Sequence, residues 1–98
     1  MKLPSMTSLC GQILLLLSDG VPRTRAQIHK ALFEFNAEKE ITARIRQLRG
    51  YAEIDVPKSE CRKNHHGGVS YYYRIEDMSP RVRREVERWK VAQGRIAA

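Results

Sequence analysis

The spacing of apolar residues changes once along this 98-residue chain, close to Gly50. Before that point apolar residues recur three and four positions apart, the spacing of one buried helix face. After it, Ile54 and Val56 alternate with polar residues, and residues 69–75 are rich in tyrosine and β-branched residues, as is typical of strands. The sequence therefore predicts an α+β domain in which helices come first and a β-hairpin follows.

Two short helices are predicted in the first third of the chain. Ser8 or Thr7 is placed to cap the first helix, and Gly20 to end it in a left-handed conformation. Thr24 and Gln27 have the spacing of a capping box, in which each side chain satisfies a backbone amide of the other residue, so the second helix begins there. The predicted buried positions of the two helices are Leu9, Ile13, Leu16, Leu17, Ile28, Ala31 and Leu32.

A third helix is predicted over residues 36–49, with Asn36 as its cap and Gly50 ending it. Its apolar residues lie four and three positions apart and define one buried face: Ile41, Ile45 and Leu48. A rotation of about 100° per residue places a polar face opposite. The residues predicted on that outward face are Asn36, Lys39, Ala43, Arg46 and Gln47.

A fourth helix is predicted after Ser79, with Pro80 at its first position, so that residues 1–77 form the main domain and residues 78–98 a C-terminal amphipathic helix. Its apolar stripe is Val82, Val86 and Trp89. Three alternatives are open for this stripe: it docks on the main domain, it pairs with a second copy in a homodimer, or it lies on a membrane surface. A neighbouring face without an acid consists of Arg81, Arg84, Arg88 and Arg95.

The chain is strongly basic, with 18 Lys and Arg against 11 Asp and Glu, a formal net charge of +7 and a pI near 9.9. The excess lies in residues 21–50 and residues 79–98, each with +4, whereas residues 51–78 sum to −1. Such a balance favours a polyanionic partner, either nucleic acid or an anionic membrane.

The sequence contains few features that are typical of an enzyme or of a membrane protein. A chain of this length has one modest core and no second lobe to form a cleft. We see no Gly-rich phosphate loop, carboxylate pair or nucleophile beside a base, so we expect no enzymatic activity and no cofactor. Cys10 and Cys61 make no disulfide framework and indicate reduced thiols. The apolar run of residues 13–17 is too short for a signal peptide or a spanning helix, so we expect a cytoplasmic protein without membrane association.

Residues 41–51, Ile-Thr-Ala-Arg-Ile-Arg-Gln-Leu-Arg-Gly-Tyr, together with Ile54 resemble the recognition helix and first wing strand of small bacterial and phage regulators of the winged helix-turn-helix family. Residues 72–75, Tyr-Tyr-Arg-Ile, are similar to the second wing strand of that family. The resemblance spans residues 7–76 and implies three helices plus a β-hairpin wing, followed here by an additional C-terminal helix. It also implies a DNA-binding regulator in a bacterial or phage-infected cell.

In that family the third helix lies in the major groove of double-stranded DNA, and the wing reaches an adjacent groove or phosphates. The outward face suits this role, because Arg46 can pair with guanine, Gln47 or Asn36 with adenine, and Ala43 can contact a thymine methyl. Lys39 suits a phosphate. The predicted DNA-binding residues are Thr24, Arg25, Asn36, Lys39, Thr42, Ala43, Arg46, Gln47, Arg49, Lys58, Arg62, Lys63, His65 and His66. The alternative is a merely solvated helix face, which Glu38 and Glu40 favour because they repel phosphate.

The predicted wing loop, residues 56–70, has a charge of +2 and ends in Gly67-Gly68. A basic wing on the DNA backbone or minor groove is the preferred interpretation, and an inert loop is the alternative. Cys61, His65 and His66 offer three metal ligands, but a structural zinc site needs four, so we expect no metal.

Two rival functions remain open at this point. The first is a winged-helix protein-interaction module, such as a phage-encoded inhibitor or an assembly factor, whose basic surface binds an acidic protein or a nucleoprotein complex. The second is binding of RNA or single-stranded DNA, which has only the charge and the tyrosines in its favour. Tyr71 and Tyr73 share one face of the predicted strand and Tyr72 takes the other, so we expect one tyrosine face in the core.

Overall fold

The computed structural model describes residues 3–32, 38–63 and 65–97 and has an α+β fold. Four helices and five short strands follow one another along the chain. In chain order they are α1 (Leu9–Leu17), β1 (Arg23–Thr24), α2 (Arg25–Ala31), α3 (Glu38–Arg49), β2 (Ile54–Asp55), β3 (Glu60–Lys63), β4 (Val69–Tyr73), β5 (Asp77–Met78) and α4 (Pro80–Ala97). The predicted order of helices before a hairpin is confirmed.

The predicted helix caps at Ser8 and Thr24 are both confirmed. The Ser8 hydroxyl accepts from the amide of Gly11 at 3.1 Å. The Thr24 hydroxyl accepts from the Gln27 amide at 3.1 Å, and the Gln27 side-chain oxygen accepts from the Thr24 amide at 2.9 Å. The amides at the start of a helix have no partner within the helix, and this capping box satisfies two of them in α2.

The two predicted glycine helix ends differ in the structure. Gly20 follows α1 with φ +77°, a conformation that favours glycine, and its amide donates to the carbonyl of Leu17. Gly50 follows α3, as predicted, because that helix ends at Arg49, but its φ is outside the left-handed region. Its amide donates to the carbonyls of Arg46 and Gln47 at 3.2 and 3.1 Å, a tightened final turn that needs no positive φ.

One hydrophobic core runs through the described part of the chain. Each helix and the strands β2 and β5 contribute to it, and its buried members are Cys10, Ile13, Leu14, Leu17, Ile28, Leu32, Ile41, Ile45, Leu48, Ile54, Val56, Ile75, Met78, Val82 and Val86. The predicted face of α3 is confirmed. On α2, by contrast, Ala31 is exposed, because this seven-residue helix buries only the side that includes Ile28.

The strands form two small antiparallel sheets rather than the single predicted hairpin. The first sheet has the order β1-β4-β3, and the second pairs β2 with β5. Ile54 lies opposite Met78, so the strand that was predicted to begin the wing is part of the second sheet. The hairpin is β3–β4, and Arg62 and Lys63, predicted in a loop, lie on its first strand. Ile54 of β2 and Val56 just after it are buried in the core, so their alternation with polar residues reflects core packing and not a wing strand.

Helix α4 packs on the body of the same chain. Val82 and Val86 are completely or almost completely buried, and Trp89 packs partly buried against the core. The side-chain amide of Gln93 donates to the side-chain oxygen of Gln12 on α1 at 3.0 Å. The structure has the docking alternative: Val82 and Val86 belong to this chain's own core, with Trp89 packed against it, so the stripe predicted to form a homodimer is largely covered within one chain.

Candidate nucleic-acid interface

The face of α3 opposite the core is exposed as predicted. Burial of Ile41, Ile45 and Leu48 against α1 and α2 fixes the rotation of the helix. The exposed residues on the other side are Lys39, Glu40, Ala43, Arg46 and Gln47, with Thr42 and Arg44 half-buried at its flanks. Asn36, which was predicted on this face and as the helix cap, lies outside the described residues.

Lys39 and Arg46 are available for a partner, because neither forms an ion pair with another described residue. Gln47 is in contact with its own helix, since its side-chain oxygen accepts from Nη1 of Arg44 at 3.0 Å. This bond leaves the Gln47 amide nitrogen, which has two donor hydrogens, pointing away from that contact. The face therefore presents two cations and an amide donor beside the small side chain of Ala43, with the exposed carboxylate of Glu40 at its edge.

Arg49 lies at the end of α3 and has a structural role that the sequence did not predict. Its Nε donates to the carbonyl of Val56 at 3.2 Å, and its Nη2 donates to the carbonyl of Pro57 at 3.3 Å. These bonds connect the helix to the segment that leads into the hairpin. The Arg49 guanidinium, predicted to bind DNA, is thus directed toward the chain itself.

Thr24 and Arg25 lie where β1 meets α2. The Thr24 hydroxyl is the cap of α2, so this side chain is used within the fold. Arg25 follows it, is exposed and forms no ion pair with another described residue. Arg23, directly before them, is held by Asp19 at 2.8 Å. The hydrogen bond from Arg23 lowers the pKa of the Asp19 carboxyl below its ordinary value.

Arg62 is engaged within the hairpin. Its Nη2 lies 2.9 Å from Oε2 of Glu60, and its guanidinium lies over the ring of Tyr72 with 4.5 Å to the ring centroid. The hydrogen bond from Arg62 lowers the pKa of Glu60. The charge of Arg62, a residue predicted to contact DNA from the wing, is therefore partly neutralised by Glu60, two residues away.

The other basic residues predicted on the wing are exposed. Lys63 ends β3 opposite Val69, and Lys58 lies in the segment before β3. Neither forms an ion pair with another described residue. His65 and His66 lie in the turn of the hairpin, which Gly67 closes with φ +78°.

Of the arginine face predicted on α4 from helical spacing, Arg81 and Arg88 pair with acids that lie beside it, and the Arg95 side chain lies outside the described residues. Arg81 pairs with Glu53, and Arg83 pairs with Asp77 at 3.1 Å. Arg88 pairs with Glu85, and Lys90 pairs with Glu87, each at 3.3 Å. Arg84 is the exception among the described arginines of α4 in having no acid partner there. Positive charge without an intramolecular acid is therefore found mainly on α3, at Arg25 and on the hairpin.

The sequence analysis missed Val69 and Tyr71, which the structure leaves about half exposed at 50% and 53%. They share a face of β4 with Tyr73, which packs against the core. Alternation does place Tyr71 and Tyr73 on one face. Alternation does not show that Tyr73 at one end of this face packs against the core while Tyr71 and Val69 are exposed to solvent.

Among the described residues, no group of three His, Cys, Asp or Glu side chains is arranged to hold a metal ion, so Cys61, His65 and His66 are not assembled as a ligand set. No helix in the same part of the chain is long and apolar enough to cross a membrane.

No protein-family model, curated protein or solved structure matches this chain. The function is therefore inferred from the geometry of its own residues.

Proposed function

We propose that this chain is a winged helix-turn-helix protein that binds double-stranded DNA sequence-specifically, as a small transcriptional or phage regulator without enzymatic activity. Helix α3 enters the major groove, and the hairpin β3–β4 is the wing on the DNA backbone or minor groove. The proposal places the protein in the cytoplasm of a bacterial or phage-infected cell.

The observation that carries the proposal is the outward face of α3. Its buried side is fixed by packing, and the opposite side has Lys39 and Arg46 without acid partners among the described residues, beside Ala43 and Gln47. On α4, by contrast, Arg88 and Lys90 pair with acids three residues away on the same helix. Arginine, glutamine and alanine are also the side-chain types that recognise guanine, adenine and the thymine methyl.

The position of the hairpin supports the same proposal. Strand β1 directly precedes α2 and pairs with β4, so the hairpin is joined to the helix that packs against α3. The bonds from Arg49 to the carbonyls of Val56 and Pro57 connect the end of α3 to the segment before the hairpin. A rigid connection of this kind holds two contact elements at a fixed separation, as reading a groove and an adjacent backbone requires.

The test begins with selection of a preferred site from a randomised duplex library, followed by titration of that site at several salt concentrations. We expect the logarithm of the affinity to fall linearly with the logarithm of salt, with a slope that corresponds to about 4–8 neutralised phosphates. Arg46→Ala should remove ~1–3 kcal/mol of discrimination at one base pair. Arg84→Ala is the matched control, since it removes one exposed cation without an acid partner from α4.

Absence of duplex binding at low salt, or affinity that does not vary with salt, would contradict the proposal and favour the protein-interaction module. If Arg46→Ala discriminates between sequences as well as the parent and Arg84→Ala do, α3 does not read the sequence.

A further inference from the structure

A groove with a volume of about 330 Å³ lies between the start of α2 and the face of β4 that has Val69, Tyr71 and Tyr73. Arg25 and Ala26 line one wall. Val69, Tyr71 and Tyr73 line the other. Because residues two apart on a strand share a face, Val69, Tyr71 and Tyr73 form one side of the hairpin, and Thr24 and Ser70 also line the groove.

The register of the hairpin places cations differently on its two faces. Lys63 lies directly opposite Val69, and residues directly opposite each other in an antiparallel pair share a face, so Lys63 flanks the groove. Arg62 lies opposite Ser70 on the other face, where Glu60 and Tyr72 hold it. Lys63, which has no ion pair with a described acid, therefore lies on the groove side of the hairpin, and the paired Arg62 lies on the other side.

Arg25 and Lys63 bring positive charge to the two sides of the groove, and Val69 with the rings of Tyr71 and Tyr73 supplies the apolar part of a lining that also has polar atoms. Arg25 and Lys63 make no ion pair with another described residue, and none of the described residues lining the groove is acidic. A nucleic-acid strand has the complementary pattern, because charged phosphates alternate with deoxyribose rings that present apolar edges. Contacts to phosphate and sugar fix the register of a protein on DNA and do not read its sequence.

We propose that this groove holds the sugar–phosphate backbone of one strand of the DNA duplex, an inference that rests on the proposed function. Arg25 and Lys63 contact phosphates on either side of the groove. The half-exposed side chains of Val69 and Tyr71 pack against deoxyribose between them. The face of the hairpin with Arg62 points away from the DNA.

The test uses the full chain and the duplex site selected with it, titrated at several salt concentrations. Arg25→Ala and Lys63→Ala should each reduce the salt slope by about 1, because each removes one phosphate contact. Arg62→Ala is the matched control on the opposite face and should leave the slope unchanged. Thermal unfolding of each variant shows whether a loss of binding comes from a loss of folded protein.

The apolar wall is tested separately with two substitutions of Tyr71. Tyr71→Ser should weaken binding about tenfold on all duplex sequences alike, the scale of one apolar side chain lost from an interface. Tyr71→Phe keeps the ring and should bind as the parent does. A sequence-dependent loss in Tyr71→Ser would indicate base contact and overturn the assignment to the backbone.

The outcomes separate this inference from the proposed function. If Arg46→Ala loses discrimination while the groove variants bind duplex as the parent does, the groove assignment fails and the proposed function stands. If Arg62→Ala lowers the slope as much as Lys63→Ala, the face assignment is wrong. If the parent binds no duplex, both fail. If the groove variants instead lose binding to single-stranded DNA or to polyglutamate with duplex affinity intact, the groove has that occupant and the inference is overturned.

Discussion

The carboxylate of Glu53 accepts hydrogen bonds from both Nε and Nη2 of Arg81 and so joins the turn after α3 to the first turn of α4. The Ser79 hydroxyl also donates to this carboxylate at 3.0 Å, and the Ser79 amide donates to the Glu53 carbonyl at 2.8 Å. Ser79 in turn caps α4, since its hydroxyl accepts from the amide of Val82 at 3.3 Å. One acidic residue thus fixes the start of the last helix.

This network predicts a change of stability with pH. The hydrogen bonds from Arg81 and then Ser79 lower the pKa of Glu53 from its ordinary 4.5 to about 2. Since the unfolded chain binds the proton more tightly, the contribution is fully present above pH 4.5 and is lost as the pH falls to about 2. Glu53→Gln should lower the unfolding temperature at pH 7 and flatten its decline across that window.

The matched control is Glu87→Gln, which removes the same charge from the exposed side of α4 and breaks a surface pair with Lys90. Unfolding temperatures of parent and both variants, measured from pH 7 to pH 2, give the comparison. If the parent and Glu53→Gln decline in parallel, Glu53 does not stabilise the fold through its ionised form.

The packing of α4 predicts that its apolar stripe stabilises the monomer. Val86 is 1% exposed and lies in the shared core, so Val86→Ala should cost ~2 kcal/mol in the free energy of unfolding, from two buried carbon atoms and the cavity that they leave. Chemical denaturation measures this cost, and sedimentation at micromolar concentration should be the same for both chains. Unchanged stability together with a shift in sedimentation would contradict this and indicate that Val86 lies in a dimer interface.

Gly11 is required by a close approach that no local pattern reveals. A Cβ atom at this position would lie 1.9 Å from the carbonyl oxygen of Ser5, because the segment before α1 folds back over the helix. Gly11→Ala should therefore destabilise the protein by about 1–3 kcal/mol, although alanine is the better helix former. Denaturant midpoints test this, with Gly50→Ala as the contrast, since its nearest atom would be 3.3 Å away. Equal effects of the two substitutions would contradict the steric explanation.

Features that depend on residues close together in the sequence could be predicted, whereas those that depend on distant residues could not. The caps at Ser8 and Thr24 and the buried face of α3 depend on residues within one or two helical turns, and local spacing predicted them. Strand pairing depends on distant residues: Ile54 alternates like a hairpin strand, yet it pairs with Met78 because their apolar sides complete the core. The groove beside Tyr71 likewise requires α2 and β4 to meet, which no spacing encodes.

The same reasoning applies to charge within the candidate interface. Composition located an excess of cations but gave no information about which of them meet acids. Arg62 and Lys63 are neighbours in the sequence, yet the pleat of β3 turns them to opposite faces, and Glu60 is within reach of Arg62. The distinction between a cation used within the fold and one available to a partner therefore came only from three-dimensional placement.

Arg46 and Arg49 lie three residues apart at the end of α3, and we expect their replacement to affect different properties of the protein. Arg49 donates to the carbonyls of Val56 and Pro57, so Arg49→Ala should lower the free energy of unfolding by about 1 kcal/mol, the scale of partly exposed charge-assisted bonds. It should weaken binding to all duplex sequences alike, because the hairpin is then held less firmly relative to α3. Arg46→Ala should leave stability within about 0.5 kcal/mol of the parent, as exposed substitutions do, and alter discrimination alone. Denaturation and competition binding on the same two variants measure both effects. The structural role of Arg49 would be contradicted if its replacement changed base preference while stability stayed at the parent value.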